Sequence, residues 1–174
     1  GAGTRSAFRM DGALTVTGNV TNAAEANIIA DPLACKVVLE SGIPVTMVGL
    51  DVTMRTHLTS KDAAAWRATG FRAGAYLADM LDYYIDQHEA IPGMRGRCYA
   101  HDPSAVACVL HPEWSQTLQL PLTCITDGPE AGRTTCMSQC VEYFESATTQ
   151  ACVTVDSTAV EQDINETLLS AFGA

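Results

Sequence analysis

Residues 43–52, Ile-Pro-Val-Thr-Met-Val-Gly-Leu-Asp-Val, form a nearly continuous apolar run. Such a run has no polar face to offer water, so it suits a strand covered on both sides, as in a parallel sheet packed between helices. Its flanks agree. Pro32 after Asp31 opens a helix at a favoured first-turn position, and Gly42 ends it. A second helix starts at Thr59-Ser60 and stops near Gly70. Over residues 71–90 the apolar positions Tyr76, Leu77, Met80, Leu81, Tyr84 and Ile85 fall on one helical stripe. Strands alternating with helices imply an α/β fold with a mostly parallel sheet flanked by helices.

Further along, residues 91–100 carry two glycines and a proline and read as a loop. A helix follows over 104–110, then a half-exposed strand over 116–126 and a turn at Asp127-Gly128-Pro129. Residues 133–139 and 151–155 read as further strands of a C-terminal antiparallel region, closed by an amphipathic helix over 157–172. At 174 residues, the expectation is a single domain over 1–174.

The charge balance narrows the partners. Ten Lys and Arg against 20 Asp and Glu give a net charge of −10, which argues against a nucleic-acid polymer. It leaves room for a neutral substrate or a divalent cation. No apolar run approaches the roughly 20 residues that span a bilayer, and the start lacks the apolar core of a signal peptide, so a cytoplasmic location is expected. The seven cysteines are odd in number and irregularly spaced, which reads as buried thiols in a reducing compartment.

Two short segments carry candidate chemistry. Gly18-Asn19-Val20-Thr21-Asn22-Ala23-Ala24-Glu25-Ala26-Asn27 groups amides and a carboxylate ahead of a helix. Such groups suit vicinal hydroxyls, which both donate and accept hydrogen bonds. The plainer alternative makes Asn19 a turn cap and puts Glu25 on a solvated helix face. The second segment, Tyr99-Ala100-His101-Asp102-Pro103, sits at a loop-to-helix junction. Asp102 is a candidate ligand for a hard cation, and His101 a candidate proton donor near neutral pH. Here the alternative makes Asp102 a helix N-cap and His101 an ordinary loop residue.

Together and in order, MDGALTVTGNVTNAAEANIIADP, IPVTMVGLDVT and HDPSAVA resemble the inosine-uridine nucleoside hydrolase family, with a weaker match through LPLTCITDGPEAGRTT. The resemblance implies a partial nucleoside hydrolase fold corresponding to the C-terminal half of that family. It also implies hydrolysis of a ribonucleoside to ribose and free base by a calcium-activated water. In this reading Asn19, Glu25 and Asn27 bind the ribose, Met10 lies against the sugar, His101 faces the leaving base, and Asp102 ligates Ca²⁺. Tyr84 and His88, one helical turn apart, line the base pocket. The family's opening aspartate cluster, in the manner of DxDxxxDD, has no counterpart in this sequence. Two expectations follow: completion by a homo-oligomer or a complementary N-terminal half, or a truncated, inactive relative that serves as a binding module.

Overall fold

A computed structural model of the chain describes residues 18–136 and 147–173. The fold is α/β, and the chain divides into two compact units. The first takes the chain up to Thr53 and His111–Val155; the second takes Met54–Leu110 and the chain from Asp156 onward.

In the first unit, β1 (Val45–Val48), β7 (Thr149–Val155) and β4 (Ser115–Gln119) form a mixed three-stranded sheet in the order β1-β7-β4. β1 runs parallel to β7 with Val45 opposite Thr149, and β4 runs antiparallel to β7 with Ser115 opposite Val155. The apolar run thus yields a shorter strand than expected. It turns at Gly49 into the short helix α3 (Leu50–Thr53), whose first turn is closed by the Gly49 carbonyl accepting from Val52 N at 3.1 Å. Only Met47 of β1 is buried, because among the described residues β1 pairs on one side alone.

The expected strand over 116–126 is likewise two strands. Leu120 and Pro121 break it, and β5 (Leu122–Cys124) pairs antiparallel with β6 (Thr134–Cys136), Cys124 opposite Thr134. Helix α2 (Pro32–Glu40) begins at Pro32 as expected, and Asp31 caps it by accepting from Ala34 N at 2.9 Å. It packs on β5, where Lys36 Nζ donates to Thr123 Oγ1 at 3.2 Å and Thr123 Oγ1 donates to Glu40 at 2.6 Å. Leu39, Met47, Leu120, Leu122, Cys124 and Ala151 make the core of this unit.

The second unit is mainly helical. Strands β2 (His57–Thr59) and β3 (Arg97–Tyr99) pair antiparallel, so the segment read as a loop contributes a strand. Helix α4 (Ser60–Ala68) opens on a reciprocal capping box between Thr59 and Asp62. Helix α5 (Arg72–His88) buries Gly74, Ala78, Leu81, Ile85 and His88. The period is helical as expected, but the buried face is rotated. Tyr76 and Met80 are exposed, because α5 approaches α4 through the small residues Gly74 and Ala78. Helices α6 (His101–Leu110) and α7 (Ser157–Gly173) pack on each other. Trp66 of α4 is buried, and its indole N–H donates to Asn165 Oδ1 of α7 at 2.9 Å.

Six cysteines lie among the described residues, all as free thiols, and Cys98, Cys108, Cys124 and Cys152 are buried. No described helix is long and apolar enough to cross a membrane.

Candidate active site

The predicted sugar-binding segment lies in the first unit, ahead of helix α1 (Ala26–Ile29). It is a tight loop closed on itself. Val20 N and Thr21 N both donate to the Ala24 carbonyl at 3.3 Å, and Thr21 Oγ1 accepts from Ala23 N at 3.1 Å and Ala24 N at 2.9 Å. Asn19 Oδ1 accepts from Ala26 N at 3.0 Å, so its oxygen caps α1 as the plainer reading held, and its amide group is left as a donor. Gly18 is required by space: a Cβ there would sit 2.4 Å from the carbonyl oxygens of Ala24 and Thr21.

Glu25 does not lie on a solvated face. It is only 2% exposed, and its Oε1 accepts from Leu50 N at 3.2 Å, at the point where β1 gives way to α3. Burial pushes its carboxyl from the ordinary 4.5 up to about 7; the Leu50 N–H opposes the rise and the charge of Asp51 adds to it. Asn27 is exposed on α1. Met10 lies outside the described residues.

From the opposite side this loop meets the β5–β6 hairpin. Gly132 stands there with φ +82°, its N–H donating to the Ile125 carbonyl at 2.7 Å. A Cβ on Gly132 would lie 2.6 Å from the Ala24 Cβ and 3.3 Å from Ile29 Cα.

The remaining predicted residues lie in the second unit, where the structure brings them together. His88 is buried at the end of α5, its Nδ1 2.8 Å from the Tyr84 carbonyl, with the Tyr84 ring edge-on at 4.5 Å. Tyr99 continues the chain of rings, 5.6 Å from His88, 5.5 Å from His101 and 5.4 Å from His57. The Tyr84–His88 pair and His101 are therefore linked through Tyr99. Neither Tyr99 nor His57 stood out in the sequence as a site residue. Tyr99 lay inside the His-Asp segment without an assigned role, and His57 meets it only through cross-strand pairing, His57 opposite Tyr99.

His101 is half-buried at the first position of α6. Burial lowers its pKa, the neighbouring His88 adds to the fall, and the Asp102 carboxylate opposes it. Asp102 is exposed in the first turn, inside the helix rather than at its cap. The Ala100 carbonyl anchors the start of α6, accepting from Ser104 N at 3.1 Å and from Ser104 Oγ at 2.6 Å. On the far side of the ring cluster, Glu161 of α7 accepts from His57 N at 2.7 Å. Burial lowers the His57 pKa, with Arg97 helping and Glu161 opposing.

The model of the inosine-uridine preferring nucleoside hydrolase family matches residues 4–162. The chain belongs to this family. The pyrimidine-specific ribonucleoside hydrolase RihA of Citrobacter koseri is 39% identical over 110 residues, which are 63% of this chain and 35% of that enzyme. The RihA of an Enterobacter species is 41% identical over 102 residues, 58% of this chain and 32% of the relative. The purine-preferring ribonucleoside hydrolase from Gardnerella vaginalis superposes with a TM-score of 0.83 at 38% identity, covering 93% of this chain and 51% of that one. A plant nucleoside hydrolase gives 0.79 at 26% identity, over 91% of this chain and 52% of its own. This nucleoside hydrolase chain therefore matches about a third of the length of its curated relatives and about half of those solved structures.

Members of the family generally depend on a metal. Among the described residues no group of three or more His, Cys, Asp or Glu side chains comes together to hold one. A Ca²⁺ ion takes about 6–8 oxygens, so Asp102 with water is only a fraction of a shell. The described residues do not fit a complete calcium site.

Proposed function

We propose that this chain serves hydrolysis of the N-glycosidic bond of ribonucleosides, releasing ribose and free base. The observation that carries the reading is the buried Glu25 carboxyl, held on Leu50 N by a loop whose sequence the family resemblance assigns to the ribose. With a pKa of about 7, that carboxyl is protonated in a large fraction of molecules at neutral pH. It can then donate to one hydroxyl and accept from another, as a ribose diol asks. The Asn19 amide and the exposed Asn27 supply further donors and acceptors, and Met10 would add apolar contact. In this proposal Tyr84 and His88 receive the base. His101, held neutral by burial at pH 7, supports the leaving base by donating a hydrogen bond from its ring N–H.

Calcium, when bound, would supply an activated water, and Asp102 is the carboxylate this chain offers it. The rest of the shell and the general base would come from a complementary N-terminal half or from association with another copy. One observation favours a second reading, a catalytically inactive relative acting as a binding module: no ligand group of three forms among the described residues.

The test is to incubate the chain with inosine and with uridine in the presence of Ca²⁺ and measure free ribose. Release above an Asp102→Ala control, slowed by His101→Ala, is the expected result. Ribose at the Asp102→Ala level with both nucleosides refutes autonomous hydrolysis and favours the binding module.

A further inference from the structure

The sugar-binding loop is held from outside by the tip of the β5–β6 hairpin, and one atom's absence makes the fit possible. Gly132 carries φ +82°, a conformation that L side chains rarely adopt. Conformation alone does not distinguish it from Gly128, which has φ +76° in the same hairpin. Space does. Nothing lies within 4 Å of a Cβ built on Gly128, whereas one on Gly132 would stand 2.6 Å from the Ala24 Cβ and 3.3 Å from Ile29 Cα and Cδ1. The Ala24 Cβ is fixed to its backbone and cannot swing away. Ala24 is 1% exposed and immediately precedes Glu25, and Ile29 ends the helix that carries Asn27.

The hairpin is equally constrained, with Ile125 N donating to the Arg133 carbonyl at 2.9 Å and Gly132 N to the Ile125 carbonyl at 2.7 Å. On the loop side Gly18 closes on the same residue, its absent Cβ leaving room for the Ala24 carbonyl. Ala24 is thus gripped between two glycines that are 114 residues apart in sequence. Any push on it bears on Glu25, whose Oε1 accepts from Leu50 N at 3.2 Å.

We propose that Gly132 is a positioning residue: by lacking a Cβ it lets the β5–β6 hairpin close on Ala24 and Ile29 and so hold the Glu25 carboxyl on the Leu50 amide. This deepens the ribose-binding reading of Glu25 and rests on it for its functional meaning. The placement of Glu25 is itself measurable without any ligand.

The experiment compares Gly132→Ala with Gly128→Ala in the 174-residue chain. Both variants put an alanine at positive φ, but only the first meets the loop. The readout is the Glu25 side-chain carboxyl carbon, followed by NMR as a function of pH, with Asp51 as the neighbouring acid that shares its surroundings. In Gly132→Ala the Glu25 midpoint is expected to fall from about 7 towards 4.5 as the carboxyl leaves its buried seat, while Gly128→Ala leaves it in place. Adding Ala24→Gly removes the colliding Cβ, and the double variant Ala24→Gly/Gly132→Ala is expected to restore the midpoint. An unchanged midpoint in Gly132→Ala, or an equal fall in Gly128→Ala, overturns the proposal. If Gly132→Ala does not fold, the double variant decides: recovery of fold and midpoint upholds the collision, and no recovery overturns it. Uridine binding by calorimetry then addresses the ribose reading separately. It should weaken at least tenfold in Gly132→Ala, and a wild-type chain that shows the titration but binds no uridine sinks the ribose reading alone.

Discussion

Replacing Glu25 by Gln should change how stability depends on pH, by an amount the structure sets. Gln keeps the side-chain shape and an oxygen to accept from Leu50 N, but it cannot ionise. In the native chain the carboxyl is 2% exposed and its pKa is raised from 4.5 to about 7, which at about 1.36 kcal/mol per pH unit corresponds to about 3 kcal/mol. The sign follows from which state holds the proton. Below pH 4.5 Glu25 is protonated folded and unfolded, and it contributes no pH dependence. Between 4.5 and about 7 the unfolded chain gives up the proton while the folded chain keeps it, so the native protein loses stability as pH rises. Above about 7 both states are ionised and the loss is complete. Glu25→Gln escapes this loss, so its stability relative to the native chain should improve by about 3 kcal/mol between pH 4 and pH 8.

Urea unfolding measures the difference, with pH effects from all other groups common to both proteins. Trp114 reports on the unit that contains Glu25, stacked 3.8 Å from His111, and a Trp66→Phe background silences the only other tryptophan. A difference between the two proteins that stays constant over this pH range, or that shrinks as pH rises, would refute the reasoning.

Two further substitutions test the packing of the second unit, both read by Trp66 fluorescence during urea unfolding. Asn165→Ala leaves the buried Trp66 N–H without its 2.9 Å acceptor and should cost about 1–3 kcal/mol, while Asn165→Asp, which keeps an acceptor, should cost less; equal losses would remove that bond from the account. Gly74→Ala places a Cβ 2.4 Å from the Trp66 carbonyl and should destabilise by about 1–3 kcal/mol, so a neutral or stabilising result would show that α4 and α5 are not in close contact there.

The parts of this fold that were legible in the sequence are those decided within one turn of chain. Asp31-Pro32 announces α2, Thr59-Ser60 announces α4, and the closing helix stands where its pattern put it. The parts that were not legible depend on partners far along the chain. β1 stops at Val48, where the chain turns at Gly49 into α3, and its neighbour β7 begins only at Thr149, a pairing that residue 45 does not mark. The apolar stripe of α5 chose Tyr76 and Met80 on hydrophobicity, but close helix approach favours Gly74 and Ala78, which hydrophobicity ranks low. The site shows the same division. The motif named Glu25, but the amide that donates to it is Leu50 N, 25 residues on, and the fit of its loop involves Gly132. Likewise His101 and His88 were named, while the Tyr99 ring that joins them was not.

Under the proposed ribose-binding reading, the burial of Glu25 has a physical consequence in so acidic a chain. With a net charge of −10, an ionised Glu25 carboxylate would add to an already repulsive field and could only accept hydrogen bonds. Burying Glu25 on the Leu50 amide, beside Asp51, keeps a proton available near neutral pH and turns an acceptor into a group that can also donate. The arrangement needs a loop that cannot relax to let water reach the carboxyl. Neither the short helix α1 nor the exposed side chains of Asn19 and Asn27 supply that rigidity. It comes from the two glycine contacts on Ala24, so the chemistry of a polar residue in this chain depends on side-chain atoms absent from its neighbours.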